Sequence, residues 1–145
     1  MITKLERYTL ILFDAFLAIS AIAGGIGLLT GAIAPDVALL QSSPFGSFLI
    51  PGLVLLLFVG GSAMLATGLM LRLPELGVAA SGVAGVMIMG FEVVEVLVIG
   101  SDPGLARNLQ LFYFTLGALI LLLTRALWAA QRPVNIYHVQ QRKVA

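Results

Sequence analysis

The sequence predicts an all-α polytopic membrane protein: four transmembrane helices in an antiparallel bundle, with both termini in the cytoplasm. Three observations predict it. The 145 residues are 60% hydrophobic and only 10% charged, where a soluble domain carries roughly 25% charged residues. The mean hydropathy of +1.08 leaves too little polar surface to face water. Four apolar stretches reach the length of about 20 residues that a helix needs to cross a hydrocarbon core. The chain therefore reads as a single four-helix transmembrane domain over residues 1–145.

The first span is expected over about residues 8–30. Lys4 and Arg7 give it a basic start, as in a signal peptide. However, Asp14 interrupts the apolar run, which then continues through "AGGIGLLTG". That exceeds the roughly 7–15 apolar residues of a signal-peptide core, so the segment reads as a retained span. The following loop, "PDVALLQSSPFGSFLIPG", holds an apolar piece from Val37 to Leu40 and a helix-start signal, "SSP". It is either a plain interfacial loop or a short helix lying on, or dipping into, the outer surface.

The second span is expected over 49–71 and the third over 76–99. The link "RLPEL" is so short that these two must be antiparallel neighbours. "GSDPGLARN" then turns the chain into a fourth span over 109–129. Residues 130–145 form a basic, partly apolar tail that reads as a cytoplasmic topology anchor. Lys4, Arg7, Arg72, Arg125, Arg132, Arg142 and Lys143 all fall on one side of this topology, and Arg107 falls on the other. Basic residues in short loops mark the cytoplasmic face, which predicts a multi-pass protein with both termini on that side.

Small residues recur at helical spacing. Gly77, Ser81 and Gly85 lie four apart on the third span, and Gly61 and Gly68 lie one heptad apart on the second. Helices in lipid associate through small residues that let backbones approach. These positions are therefore expected at helix-packing surfaces, either inside the bundle or at a dimer seam.

The segment "GVMIMGFEVVEVLVIG", residues 85–100, carries Glu92 and Glu95 into an otherwise lipid-soluble helix. At a rise of about 1.5 Å per residue, they lie roughly 24 and 28 Å from the cytoplasmic edge, in the outer part of the membrane. Residues three apart share a helix face, and Glu92 continues the face of Gly77, Ser81 and Gly85. An ionisable group inside a span is a functional-site hypothesis by default. Gln110 and Tyr113 begin the fourth span at the same level, and Arg107 is the expected cation for either glutamate. Near the cytoplasm, Asp14 lies about 9 Å deep and Arg125 at matching depth on the fourth span, so an Asp14–Arg125 ion pair is expected.

Several chemistries have no support. The formal net charge is +1, and there is no Cys and a single His. No nucleic-acid partner, metal site or cofactor is expected. No nucleophile–base–acid set, phosphate loop or dinucleotide fingerprint occurs, so enzymatic activity is not expected either. "GGIGLLTG", "SPFGSFLIPGLVLLLFVGGSA", "MGFEVVEVLVIG" and "LQLFYFTLG" together resemble a group of uncharacterised small four-span bacterial integral membrane proteins. The resemblance covers most of the chain apart from its two ends. It implies the four-span fold and picks out Glu95 and Gln110, whereas Glu92 stands where an aliphatic residue is usual in that group. It implies no activity.

The expected function is an outward-facing carboxylate cluster of Glu92, Glu95, Gln110 and Arg107, with Tyr113 beside it. Such a cluster suits permeation or transport of protons, cations or a small polar solute. Lipid is the expected surrounding, with a homo-oligomer or a larger membrane complex completing any pore. The alternative is a non-transporting accessory or assembly subunit of such a complex.

Overall fold

The computed structural model describes residues 2–33, 35–41 and 43–131. Among them every regular element is helical, and four helices are long and apolar enough to cross a membrane. Helix α1 spans Ile2–Thr30. Helix α2 occupies Leu49–Arg72, α3 Pro74–Ile99 and α4 Leu105–Gln131. These match the expected spans to within a few residues, the differences falling at helix ends where basic or polar residues extend the helix beyond the apolar run. The basic tail from residue 132 onward, with Tyr137 and His138, lies outside the described residues.

The helix boundaries follow from local chemistry. Gly31, with φ of 77°, supplies the left-handed residue that commonly ends a helix. Pro74 and Glu75 open α3, where a missing N–H and an acidic side chain both suit a helix N-terminus. Leu73 alone separates α2 from α3. In the loop after α1, Asp36 accepts a hydrogen bond from the Ala38 N–H at 2.9 Å and caps a single 3₁₀ turn, Val37–Leu40. Leu40 and Phe48 are buried, so this loop folds onto the helices.

The helices pack in ring order, α1 on α2, α2 on α3, α3 on α4 and α4 back on α1, with few contacts across the α1–α3 diagonal. Small residues make the close approaches. At Gly25, a Cβ would lie 2.7 Å from Leu56 Cβ and 2.8 Å from the Gly52 carbonyl oxygen. At Gly77 it would lie 2.5 Å from the Met70 nitrogen, and at Gly117 3.0 Å from the Gly85 carbonyl oxygen. The middle of α2, Val54–Gly60, widens into a π-helical stretch beside the Gly25–Leu56 approach. Nothing in the amino-acid pattern marks it.

Packing inside the bundle is corrected at Gly61 and Gly68, which leaves the dimer seam as a proposal for these two. A Cβ at either would meet nothing within 4 Å, so these two glycines face away from the neighbouring helices. Spacing alone places them on a common side of α2 but does not say which side faces the bundle.

The interior is formed by Leu10, Leu17, Ala63, Met70, Ala84 and Ile120, each fully buried. The outer surface is equally apolar. Leu12, Ile19, Leu57, Leu65, Leu97 and Leu122 are each more than half exposed. Such a continuous apolar exterior matches acyl chains and would aggregate in water.

Candidate functional site

The buried residues of α3 are Gly77, Val78, Ser81, Ala84, Gly85, Ile88 and Glu92. Their spacing of three and four traces one helix face. That face carries a polar group near each end and a dry layer between, where Ala84 and Ile88 sit in the same core as Leu17 and Ile120. From Ser81 to Glu92 is eleven residues, about 16 Å along the helix.

At the first polar level, Asp14 of α1 is fully buried. The Ser81 hydroxyl lies 2.5 Å from Asp14 Oδ2 and 3.0 Å from the Gly77 carbonyl oxygen. This contact ties α1 to α3 across the bundle diagonal, where few other contacts exist. One hydroxyl hydrogen cannot serve both acceptors, and Asp14 Oδ1 has no hydrogen-bond partner. The level is therefore short of a donor.

The expected Asp14–Arg125 ion pair does not form. Asp14 bonds to Ser81, and Arg125 is exposed. The reason is rotation about the α4 axis. Ile120, Thr124 and Leu127 are the buried positions there, and Arg125 follows Thr124 by one residue, about 100° around the helix. Equal depth does not bring the two side chains to the same face. Arg7 does find an interior role that its sequence context does not reveal: its Nη2 donates to the Met70 carbonyl oxygen at 2.6 Å. That carbonyl belongs to the last turn of α2, where carbonyls have no partner within the helix.

At the second level, the structure brings Glu92, Glu95 and Gln110 together. Glu92 is 5% exposed and Gln110 3%. Gln110 Nε2 donates to Glu95 Oε1 at 3.1 Å and to the Gly100 carbonyl oxygen at 3.1 Å. Gly100 has φ of 81°, a conformation open to glycine. It ends α3 where the chain turns back toward α4, and its carbonyl meets the Gln110 amide. Because both partners are acceptors, the Gln110 nitrogen must face them. Its Oε1 is then turned the other way, where it is buried without a partner.

Two cavities flank this cluster. One, of about 250 Å³, is lined by Glu92, Gln110 and Ser101 together with apolar side chains. The other, of about 550 Å³, lies among the loop after α1, the first half of α2 and the C-terminal half of α3, with Glu95 among its lining residues. The π-helical stretch contributes Val54, Phe58 and Val59 to that wall. π-Helical turns recur at functional sites.

Arg107 and Tyr113 do not join the cluster. Arg107 is exposed, and the tie to Glu95 comes instead from Gln110, almost one turn further along α4. The Tyr113 ring stands edge-on to Phe112, with centroids 5.2 Å apart, and packs against the core. Neither side chain bonds to a glutamate. Among the described residues, no group of three or more His, Cys, Asp or Glu side chains is placed to hold a metal ion.

Chemically, the second level is rich in acceptors and poor in donors. Glu92, the second oxygen of Glu95 and Gln110 Oε1 have no donor among the described residues. Buried charge is normally paired, and two carboxylates on one face repel. A proton or a cation completes such a set.

No family model matches the chain, and no curated protein and no solved structure matches it either.

Proposed function

We propose that this chain is a multi-pass protein of the bacterial inner membrane whose Glu92–Glu95–Gln110 cluster takes up and releases protons or small cations in transport. The observation that carries the reading is the buried Gln110 Oε1, without a partner among the described residues, on a side chain that lines the same small cavity as Glu92, where no described cationic side chain contributes. A site rich in acceptors and poor in donors gains most from a positively charged or protonated occupant.

The proposed topology is an antiparallel bundle with residues 1–7 and the basic tail in the cytoplasm, which puts the cluster in the outer part of the membrane. It rests on the distribution of Lys and Arg and on the order of contacts. Arg7 meets Met70 while Gly25 meets Leu56, and Gly82 meets Thr124 while Gly117 meets Ile88. Buried apolar Ala84 and Ile88 separate Ser81 from Glu92, and the transporting unit is proposed to be a homo-oligomer. The likeness to small four-span bacterial membrane proteins belongs to the same proposal.

The test is flux into proteoliposomes loaded with a pH-sensitive or cation-sensitive dye. Wild-type protein should show a flux that Glu95→Gln reduces at least about tenfold, which corresponds to roughly 1.4 kcal/mol. Wild-type vesicles as tight as empty ones, together with co-purification of a fixed partner complex, would establish the accessory-subunit reading instead.

A further inference from the structure

The larger cavity is too apolar for a bare inorganic ion. Its volume of about 550 Å³ falls within the roughly 300–1,000 Å³ of sites that hold small organic molecules. Phe45 and Phe48 of the loop, Phe58 of α2 and Phe91 of α3 line it, and among the described residues Glu95 is its only ionisable lining group. Gln110 holds Glu95 Oε1, leaving Oε2 without a donor among the described residues. An apolar chamber with aromatic walls and a single carboxylate matches a molecule with an apolar body and one cationic head. The body is held by the side chains, and the head by charge and by the ring faces.

We propose that this cavity binds an amphiphilic organic ammonium ion, with Glu95 as its counter-ion. The proposal rests on the cation-handling reading above and names the ligand class. Gly90 supplies an independent handle. It lines the cavity, and a Cβ added there meets nothing within 4 Å, so Gly90→Leu starts into open space and is expected to take up part of the cavity.

The experiment is calorimetric titration of the full chain in zwitterionic nanodiscs, with the heat from empty nanodiscs subtracted. The probes are octylammonium and octanol, which share an apolar body and differ in charge. Octylammonium should saturate one site, with a Kd raised about tenfold or more by Glu95→Gln, as expected for loss of a charge-assisted contact. Gly90→Leu, which keeps Glu95, should weaken binding by a similar factor, and octanol should bind at least about tenfold more weakly than octylammonium. Equal binding of octanol marks the cavity as a seat for lipid chains and overturns the proposal, as does octylammonium binding that neither variant changes. Proton or cation flux without octylammonium binding overturns this inference and leaves the proposed function standing. Saturable, Glu95-dependent binding without flux does the reverse.

Discussion

Asp14 and Glu92 are both carboxyl groups on buried helix faces, yet they are set in opposite surroundings. Asp14 is sealed. Its neighbours are the Ser81 hydroxyl and the core, and it ties α1 to α3 where the bundle has few other diagonal contacts. Glu92 is almost as deeply buried but lines a cavity, and its neighbour Glu95 lines a second and larger one. Low exposure alone does not separate a structural carboxyl from a site carboxyl. Empty volume beside it does, because a ligand or water needs room as well as a charge. On the proposed reading the first level serves the fold and the second the function, and substitutions should divide accordingly.

The sharpest division lies between two glycines of α3. At Gly77 a new Cβ runs into the Met70 backbone at 2.5–2.6 Å, whereas at Gly90 it meets open space. Gly77→Ala should cost about 1–3 kcal/mol through overpacking. Gly90→Ala should be neutral or gain up to about 1 kcal/mol from helix propensity. Thermal unfolding in one detergent measures both, and matching losses would mean that the C-terminal half of α3 is as tightly packed as the N-terminal half.

Ser81→Ala comes next. It leaves the fully buried Asp14 without its hydrogen-bond partner, a loss of about 1–3 kcal/mol. Flux per folded protein should stay within about twofold, since the Glu92 cluster lies about 16 Å away. A collapse of flux in folded Ser81→Ala protein would make Asp14 part of the transport path and erase the contrast between the levels.

Asp14→Asn should be milder. The Asn amide adds the donor this level lacks: its N–H reaches the Ser81 oxygen while the Ser81 hydrogen goes to the Gly77 carbonyl. The expected loss is under about 1 kcal/mol, the size of one neutral hydrogen bond. A loss as large as that of Ser81→Ala would show that the carboxyl itself is required.

Much of this was legible in the sequence. The four spans were, because the apolar runs are long and their breaks carry turn residues. So was the pairing of Glu92 and Glu95 on one face, because a three-residue spacing fixes it. Helix rotation was not legible. A period puts Gly61 and Gly68 on one side of α2 and a count of residues gives Arg125 a depth, but which side of α2 or α4 meets the bundle depends on partners that a one-dimensional pattern does not contain. Ser81 could be read as a small packing residue, while its hydroxyl contact with Asp14 joins residues 67 positions apart. The cavities were also beyond reach, since they depend on how the loop after α1 folds back and on a π-helical stretch without a sequence signature.

The smallest expected effects belong to the two arginines, and they test helix rotation directly. Arg125 is exposed, one residue past the buried Thr124, and Arg107 is exposed near the start of α4. Neither holds a carboxylate, so Arg125→Gln and Arg107→Gln should each shift stability by no more than about 0.5 kcal/mol, as surface changes usually do. Flux should survive Arg107→Gln, since Gln110 and not Arg107 is bonded to Glu95. The double change Asp14→Asn with Arg125→Gln is the stricter measurement. Groups without a shared contact give additive losses to within about 0.3–0.5 kcal/mol. If the double variant is instead more stable than that sum by 1 kcal/mol or so, beyond the scatter of independent sites, the two side chains meet in the membrane. α4 would then be turned by most of a residue from the orientation described, and Gln110 would swing away from Glu95 with it.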